Sequence, residues 1–276
     1  MAEDAVSLYL DLLNRCVCNL IYQDPSVPYI GEESDDPLSA PFSIERRLSG
    51  KDWPRYAHTM IGVKRLDNVR SLIENVLNSG VPGDLIETGV WRGGSTIYMR
   101  GVLKAYDISD RSVWVADAFG FQFPAGNEHG TTDKSYTSLG TELLAKGISA
   151  LPRGDQDKHA LLVEGTSYEE VRDTFARYGL LDDQVKFLRG WFSETLPTAP
   201  VEQLALLRMD GDFYDATRVA LTNLYPKLSA GGWAIVDDYG TFSECRQAVH
   251  DYLDEMNLHV DIVPIDDEAV YWQKQG

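Results

Sequence analysis

The spacing of apolar positions divides the chain into two unlike parts. Near the start, Val6, Tyr9, Leu10, Leu13, Val17, Leu20 and Ile21 recur at close to helical period and predict a helix over residues 4–22. Residues 23–43 are rich in proline and acids and read as a loop. Leu66, Val69, Leu72, Ile73, Val76 and Leu77 then predict a second helix over 64–79, stopped by Gly80 and Pro82-Gly83.

From Gly83 onward short apolar runs alternate with amphipathic stretches. The runs predict strands at 84–87, 112–116, 184–188, 203–208 and 233–236, and the stretches predict helices at 95–106, 167–178, 215–228 and 243–256. Gly231-Gly232 closes the third of these helices. Leu204 to Leu207 is apolar without a break, as suits a strand covered on both faces. Two final strands, 259–264 and 269–273, flank Ile265-Asp266-Asp267-Glu268 and read as an antiparallel hairpin. The alternation argues an α/β fold with helices on both sides of a mostly parallel sheet. Five parallel strands and the hairpin make seven strands, in a domain over 83–276 preceded by helical residues 1–82. Residues 118–138 read as a long loop on the ligand side of the sheet, and 139–163 carry no clear pattern.

Composition adds exclusions. The chain has 276 residues, 43% hydrophobic and 25% charged, which is ordinary for a globular protein. A net charge of −18 argues against nucleic acid as a partner. Cys16, Cys18 and Cys245 form neither an even framework nor a metal-binding spacing and read as thiols of a reducing compartment. Glu3 and Asp4 stand where a signal peptide carries basic residues, and no apolar run reaches membrane-spanning length. The expected location is therefore cytoplasmic, with no membrane partner. Residues 44–64 form a basic island, with Arg46, Arg47, Lys51, Arg55, His58 and Lys64 around Trp53 and Tyr56. It reads either as a lid over a ligand site or as a docked segment whose cations balance acidic neighbours.

The chemistry-bearing residues fall at strand ends, where open α/β sheets bind ligands. The first strand runs into Glu87-Thr88-Gly89-Val90-Trp91-Arg92-Gly93-Gly94, where Gly89 can take a positive φ, and Ser95 or Thr96 can satisfy amides at the next helix start. A dinucleotide fingerprint would need a middle glycine backing a pyrophosphate. Its absence, with Glu87 just ahead of the turn, suits a cationic ligand without pyrophosphate, such as S-adenosylmethionine. Asp117 lies 23 residues past Gly94, about where a ribose-binding carboxylate is expected. Asp210, Asp237 and Asp238 end two further strands. Three crowded carboxylates want a cation, and hard oxygen ligands without His or Cys point to Mg²⁺. An alcohol acceptor would then need a base, with Asp212 the first candidate and Asp210 the second. Two other readings stand beside this one: a metal-dependent glycosyltransferase using Asp210-x-Asp212, and a non-catalytic donor-binding protein.

Four motifs in one order carry a closer resemblance: Leu85 to Gly94, Val115-Ala116-Asp117-Ala118-Phe119-Gly120-Phe121, Arg208-Met209-Asp210-Gly211-Asp212-Phe213-Tyr214 and Val236-Asp237-Asp238-Tyr239. Together they resemble the macrocin O-methyltransferase family, bacterial enzymes that methylate sugar hydroxyls of macrolide, aminocoumarin and related natural products. The resemblance implies a Rossmann-like class I methyltransferase fold, S-adenosylmethionine as donor, Mg²⁺ as cofactor and a glycosylated small-molecule acceptor. It implies metal ligation at Asp210, Asp237 and Asp238 and a base at Asp210 or Asp212. Donor contacts are implied at Glu87, Thr88, Gly89, Val90, Trp91 and Ser95, at Asp117, Ala118 and Phe119, at Gly190 and Trp191, and at Asp210. A lid containing Thr59 and Met60, and a homodimer or higher homo-oligomer, are implied as well.

Overall fold

A computed structural model describes residues 4–27, 39–119 and 166–276. The expected loop over 118–138 and the unpatterned stretch 139–163 lie almost wholly outside the described residues, as does the middle of the 23–43 loop. The seven-stranded sheet has the order β5-β4-β3-β6-β7-β9-β8. Strands β3 (Asp84–Thr88), β4 (Val113–Asp117), β5 (Val185–Arg189), β6 (Leu204–Met209) and β7 (Leu228–Val236) are parallel. β9 (Val270–Gln273) pairs antiparallel with both β7 and β8 (Val263–Pro264). The order reverses at β3: β4 and β5 lie to one side, β6 and β7 to the other. The carboxyl end of β3 is therefore the switch point where a crevice opens.

Alternating side chains feed two apolar layers. Leu85, Val113, Val115 and Ile235 share one apolar layer with α3 (Gly62–Asn78), α4 (Gly94–Ala105) and α5 (Tyr168–Arg177), and α1 (Ala5–Val17) joins it by packing on α4 and α3. Ile86, Trp114, Leu207 and Ala234 face α7 (Tyr214–Leu224), α8 (Ser243–Glu255) and the buried Trp272 of β9. The unbroken apolar run of β6 is buried at every position, as a central strand requires.

Three expected boundaries differ. The first helix ends at Val17 rather than near residue 22. Asn19 takes a φ of 50°, with Asn19 N–H donating to Cys16 O at 3.0 Å and Leu20 N–H to Arg15 O at 2.9 Å. That left-handed asparagine closes the helix although the apolar spacing continues. Gly231-Gly232 does not close a helix; α7 ends at Leu224, and the glycines lie inside β7. They occupy the register shift by which Leu228 pairs with Leu204 and Trp233 with Leu206. The first strand of the hairpin is only Val263–Pro264, starting four residues later than expected, and it pairs with β9 only at Tyr271 and Val270.

The basic island is docked. It contains α2 (Ile44–Ser49) and β2 (Trp53–Pro54), which pairs with β1 (Ser26–Val27). Arg47 is 1% exposed. It donates to Asp24 Oδ1 at 2.7 Å, Asp52 Oδ2 at 2.8 Å, Cys18 O at 2.9 Å and Asp24 O at 3.0 Å. Asp24 in turn accepts the amides of Tyr56 and Ala57. Removing one partner of such a pair strands the others. Arg47→Ala is expected to destabilise the protein by about 3–5 kcal/mol in urea unfolding; a loss below about 1 kcal/mol, the scale of a surface pair, would show that the pair is not a structural anchor.

Candidate active site

The crevice is floored by the end of β3 and the turn into α4. Gly89 has a φ of 84°, and a Cβ there would stand 1.7 Å from Asp210 O. Gly89 N–H donates to Ala116 O and Asp210 N–H to Thr88 O, both at 2.8 Å. The glycine turn, the end of β4 and the loop after β6 are thereby fixed to one another. Behind the turn, a Cβ on Gly94 would meet His58 O at 2.4 Å, and Gly94 N–H donates to that oxygen at 2.8 Å. Arg92 stacks on the Trp91 ring, 4.0 Å from its centroid, and donates to Pro54 O and Ala57 O, each at 3.0 Å. Thr59 is buried against Gly94, and Met60 is half-buried beside it.

Asp117 ends β4 and turns back to the glycine turn. Its Oδ2 accepts Val90 N–H at 2.7 Å and its Oδ1 accepts Phe119 N–H at 2.8 Å. Burial raises its pKa, and these backbone donors oppose the rise. Ala118 follows, while Phe119 is 4% exposed and packs edge-on against Tyr168. Gly190 N–H donates to Asp117 O at 3.0 Å, which brings Trp191, at the start of α6 (Phe192–Thr195), to the same edge. Thr88 Oγ1 and Trp91 Nε1 are buried without a hydrogen-bond partner among the described residues. Orphaned polar atoms on either side of Gly89 fit a ligand that supplies the missing bonds. Asp117, a carboxylate at the crevice edge of β4, fits a ribose.

Glu87 faces inward. It is 1% exposed, with Ser95 Oγ donating to one carboxylate oxygen and Arg208 to the other. The sequence placed Glu87 against a ligand's cationic group; in the structure the cation is Arg208. Arg208 is wholly buried in β6 and also donates to Asp210 Oδ2 at 2.8 Å and to Asp237 Oδ1. Burial works against its charge, but the carboxylates prevail and hold its pKa well above the ordinary value.

Asp210, Asp237 and Asp238 converge at the ends of β6 and β7, each with an oxygen within 4.8 Å of the others. Asp237 is 5% and Asp238 8% exposed. Asp238 Oδ2 accepts Asp212 N–H at 3.0 Å. Asp212 sits at a φ of 60°, strained for a residue with a side chain, and is half-buried, and no described residue donates to its carboxylate. Burial, with the Asp210 charge next, raises Asp212 to about 7. Burial, with Asp237 next, raises Asp210 to about 6. Burial, with Asp212 next, carries Asp238 well above the carboxylate range. Glu87 rises to about 7, with burial outweighing Arg208. The cluster thus holds more negative charge than its arginines neutralise, and its chemistry fits a hard divalent cation.

Sequence reasoning did not single out Arg65, which donates to Asp237 Oδ2 at 2.7 Å from the first turn of α3. A signal existed: a cation at a helix N-terminus opposes the macrodipole and calls for acidic partners.

The sheet order, the glycine turn at its switch point and the acidic edge define a class I methyltransferase. Residues 6–274 match the macrocin O-methyltransferase (TylF) family. Mycinamicin III 3''-O-methyltransferase of Micromonospora griseorubida is 48% identical over 272 residues, 98% of each chain. Demethyldecarbamoylnovobiocin O-methyltransferase of Streptomyces niveus is 45% identical over 268 residues, 97% of this chain and 94% of that protein. The solved structure of the O-methyltransferase NovP shares 44% identity at a TM-score of 0.81, covering 98% of this chain and 100% of that one. The chain belongs to the macrocin O-methyltransferase family and is an S-adenosylmethionine-dependent O-methyltransferase.

The raised carboxylates make stability depend on pH. Folded pKa values of about 6 to 7 for Glu87, Asp210 and Asp212 mean that the native state keeps protons the unfolded chain has released. Between about pH 4 and pH 7 the cation-free protein should therefore lose stability from these groups as pH rises. Other acids, such as Asp182 with its lowered pKa, act in the opposite sense, so the variant difference is the measure. With chelator present, Asp212→Asn is expected to raise the melting temperature at pH 7 and to flatten its fall across that window. A slope identical to the parent protein's would count against a raised Asp212.

Proposed function

We propose that this enzyme transfers a methyl group from S-adenosylmethionine to a sugar hydroxyl of a glycosylated natural product, as a tailoring step in antibiotic biosynthesis, with Mg²⁺ bound by Asp210, Asp237 and Asp238. The observation that carries the reading is the meeting of these three carboxylates beside Asp212, to whose carboxylate no described residue donates. The relatives' names support the acceptor class: one is a mycinamicin III 3''-O-methyltransferase and another a rhamnosyl-tetracenomycin C 4'-O-methyltransferase from Streptomyces olivaceus. No helix among the described residues is long and apolar enough to cross a membrane.

A divalent cation at this site supplies acidification and orientation of an acceptor hydroxyl. The rest falls to the chain. Asp212 is the first candidate base, because no described residue donates to its carboxylate and its raised pKa suits proton uptake near neutrality. Asp210 is the second, with one oxygen committed to Arg208. A base so placed contributes roughly 10²–10⁴-fold to the rate. As the acceptor oxygen bonds to the methyl carbon, the sulfonium's carbon–sulfur bond breaks and the hydroxyl proton passes to the base. Asp117 holds the donor ribose. Thr88, Gly89, Val90 and Trp91, with Ala118, Phe119, Gly190 and Trp191, shape the donor pocket, while Glu87 and Ser95 support it from beneath and Thr59 and Met60 border it.

Calorimetric titration with S-adenosylhomocysteine, followed by a mass-spectrometric screen of labelled donor against glycosylated natural products, tests the reading. Tight binding without turnover on any glycoside would argue for a non-catalytic donor-binding protein. Asp238→Asn is expected to abolish turnover while leaving donor affinity within a few-fold, and full activity of the parent enzyme in chelator would remove the metal. Asp117→Ala is expected to weaken S-adenosylhomocysteine binding by about 1–3 kcal/mol; an unchanged dissociation constant would take Asp117 off the ribose.

A further inference from the structure

Arg65 has no place in the chemistry above, yet its surroundings are built with care. It is 4% exposed and uses all three edges of its guanidinium. Nη1 donates to Asp237 Oδ2 and Nε to Asp266 Oδ2, each at 2.7 Å, and Nη2 donates to Glu268. The two outer acids belong to the turn between β8 and β9. That turn is organised in its own right: Asp266 Oδ1 accepts the amides of Glu268 at 2.9 Å and Ala269 at 2.8 Å. Lys51, just past α2, clamps Asp267 at 2.9 Å and Glu268. The far side of Asp237 is held as well, since its Oδ1 accepts from Arg208.

Two guanidiniums therefore grip the two oxygens of one carboxylate from opposite sides and fix its plane. Each oxygen keeps a second lone pair. We infer that Arg65 is a positioning residue for Asp237, orienting it toward the space shared with Asp210 and Asp238, and that the acidic turn Asp266–Glu268 serves to hold the Arg65 fork. The inference rests on the divalent cation proposed above. A planar guanidinium fork holds three carboxylates at fixed angles, whereas a lysine ammonium carries its three donors on one rotating nitrogen and sets no plane.

Charge and orientation predict opposite signs, which makes the test decisive. As a bare positive charge close to the cation site, Arg65 would weaken cation binding, and its removal would tighten it. As a positioning residue its removal weakens binding, by about 10–100-fold for outer-shell partners of metal ligands. The probe is Mn²⁺, read as loss of the free-ion signal in electron paramagnetic resonance, with neither donor nor acceptor present. Arg65→Gln and Arg65→Lys are both expected to weaken Mn²⁺ binding by that range, with S-adenosylhomocysteine affinity within a few-fold of the parent. Tighter or unchanged Mn²⁺ binding in Arg65→Lys, which keeps the charge, overturns the inference.

A second pair of variants covers the case in which Arg65 substitutions fail to fold. Glu268→Gln and Asp267→Asn each remove one negative charge from the same turn, but only Glu268 touches Arg65. Glu268→Gln should weaken Mn²⁺ binding several-fold more than Asp267→Asn, and equal effects overturn the inference. Parent protein that leaves Mn²⁺ free would remove the divalent reading, and this inference with it. Parent protein that binds Mn²⁺, with variants that bind it equally well, removes only the role of Arg65.

Discussion

The buried guanidinium of Arg208 holds the carboxyl edge of the sheet together. It joins Glu87 of β3, Asp210 after β6 and Asp237 after β7, so three chain segments remote in sequence share one cation. Without it those carboxylates would face one another with little solvent to screen them. Removing one member of such a cluster is far more disruptive than replacing all of them, because the remaining charges are left buried and unpaired. The arrangement gives stability only indirectly. Its direct effect is geometric: it fixes which acids face inward and which remain free at the mouth.

That division of labour follows from topology. Reversal of strand order at β3 places β6 beside it, and β7 beside β6, so their ends present acids along a single edge. Glu87 spends its charge on Arg208 and Ser95, leaving the glycine turn to be stiffened from below. Asp117 spends part of its capacity on Val90 and Phe119 amides, which sets the turn's shape from the side. Asp212 and Asp238 are left with few donors among the described residues, and burial, with the neighbouring acids next, raises their proton affinity.

Most of the fold was legible in the sequence because its signals are local. The strand–helix alternation, the hairpin and the carboxylates at strand ends all come from residues within a few positions of each other. The misread boundaries have equally specific causes. Asn19 closed α1 by a backbone conformation that apolar spacing does not reveal, and Gly231-Gly232 served a register shift set by a neighbouring strand. Arg47, one cation of the basic island, is interior, since its partners Asp24 and Asp52 are brought to it only by folding. At the site, Asp210, Asp237 and Asp238 were visible as acids after apolar runs. The commitment of Glu87 to an arginine 121 residues away was not, because nothing local distinguishes an acid facing a ligand from one facing the core.

The contact between Gly89 and the Asp210 carbonyl has an evolutionary implication. No other amino acid fits at position 89 without prising two loops apart, so the glycine turn and the acidic edge form a single rigid unit. A lineage that exchanged one acceptor for another would have to do so through segments that do not run beneath that contact. Novelty in substrate choice could then arise at the periphery while the transfer machinery stayed unaltered.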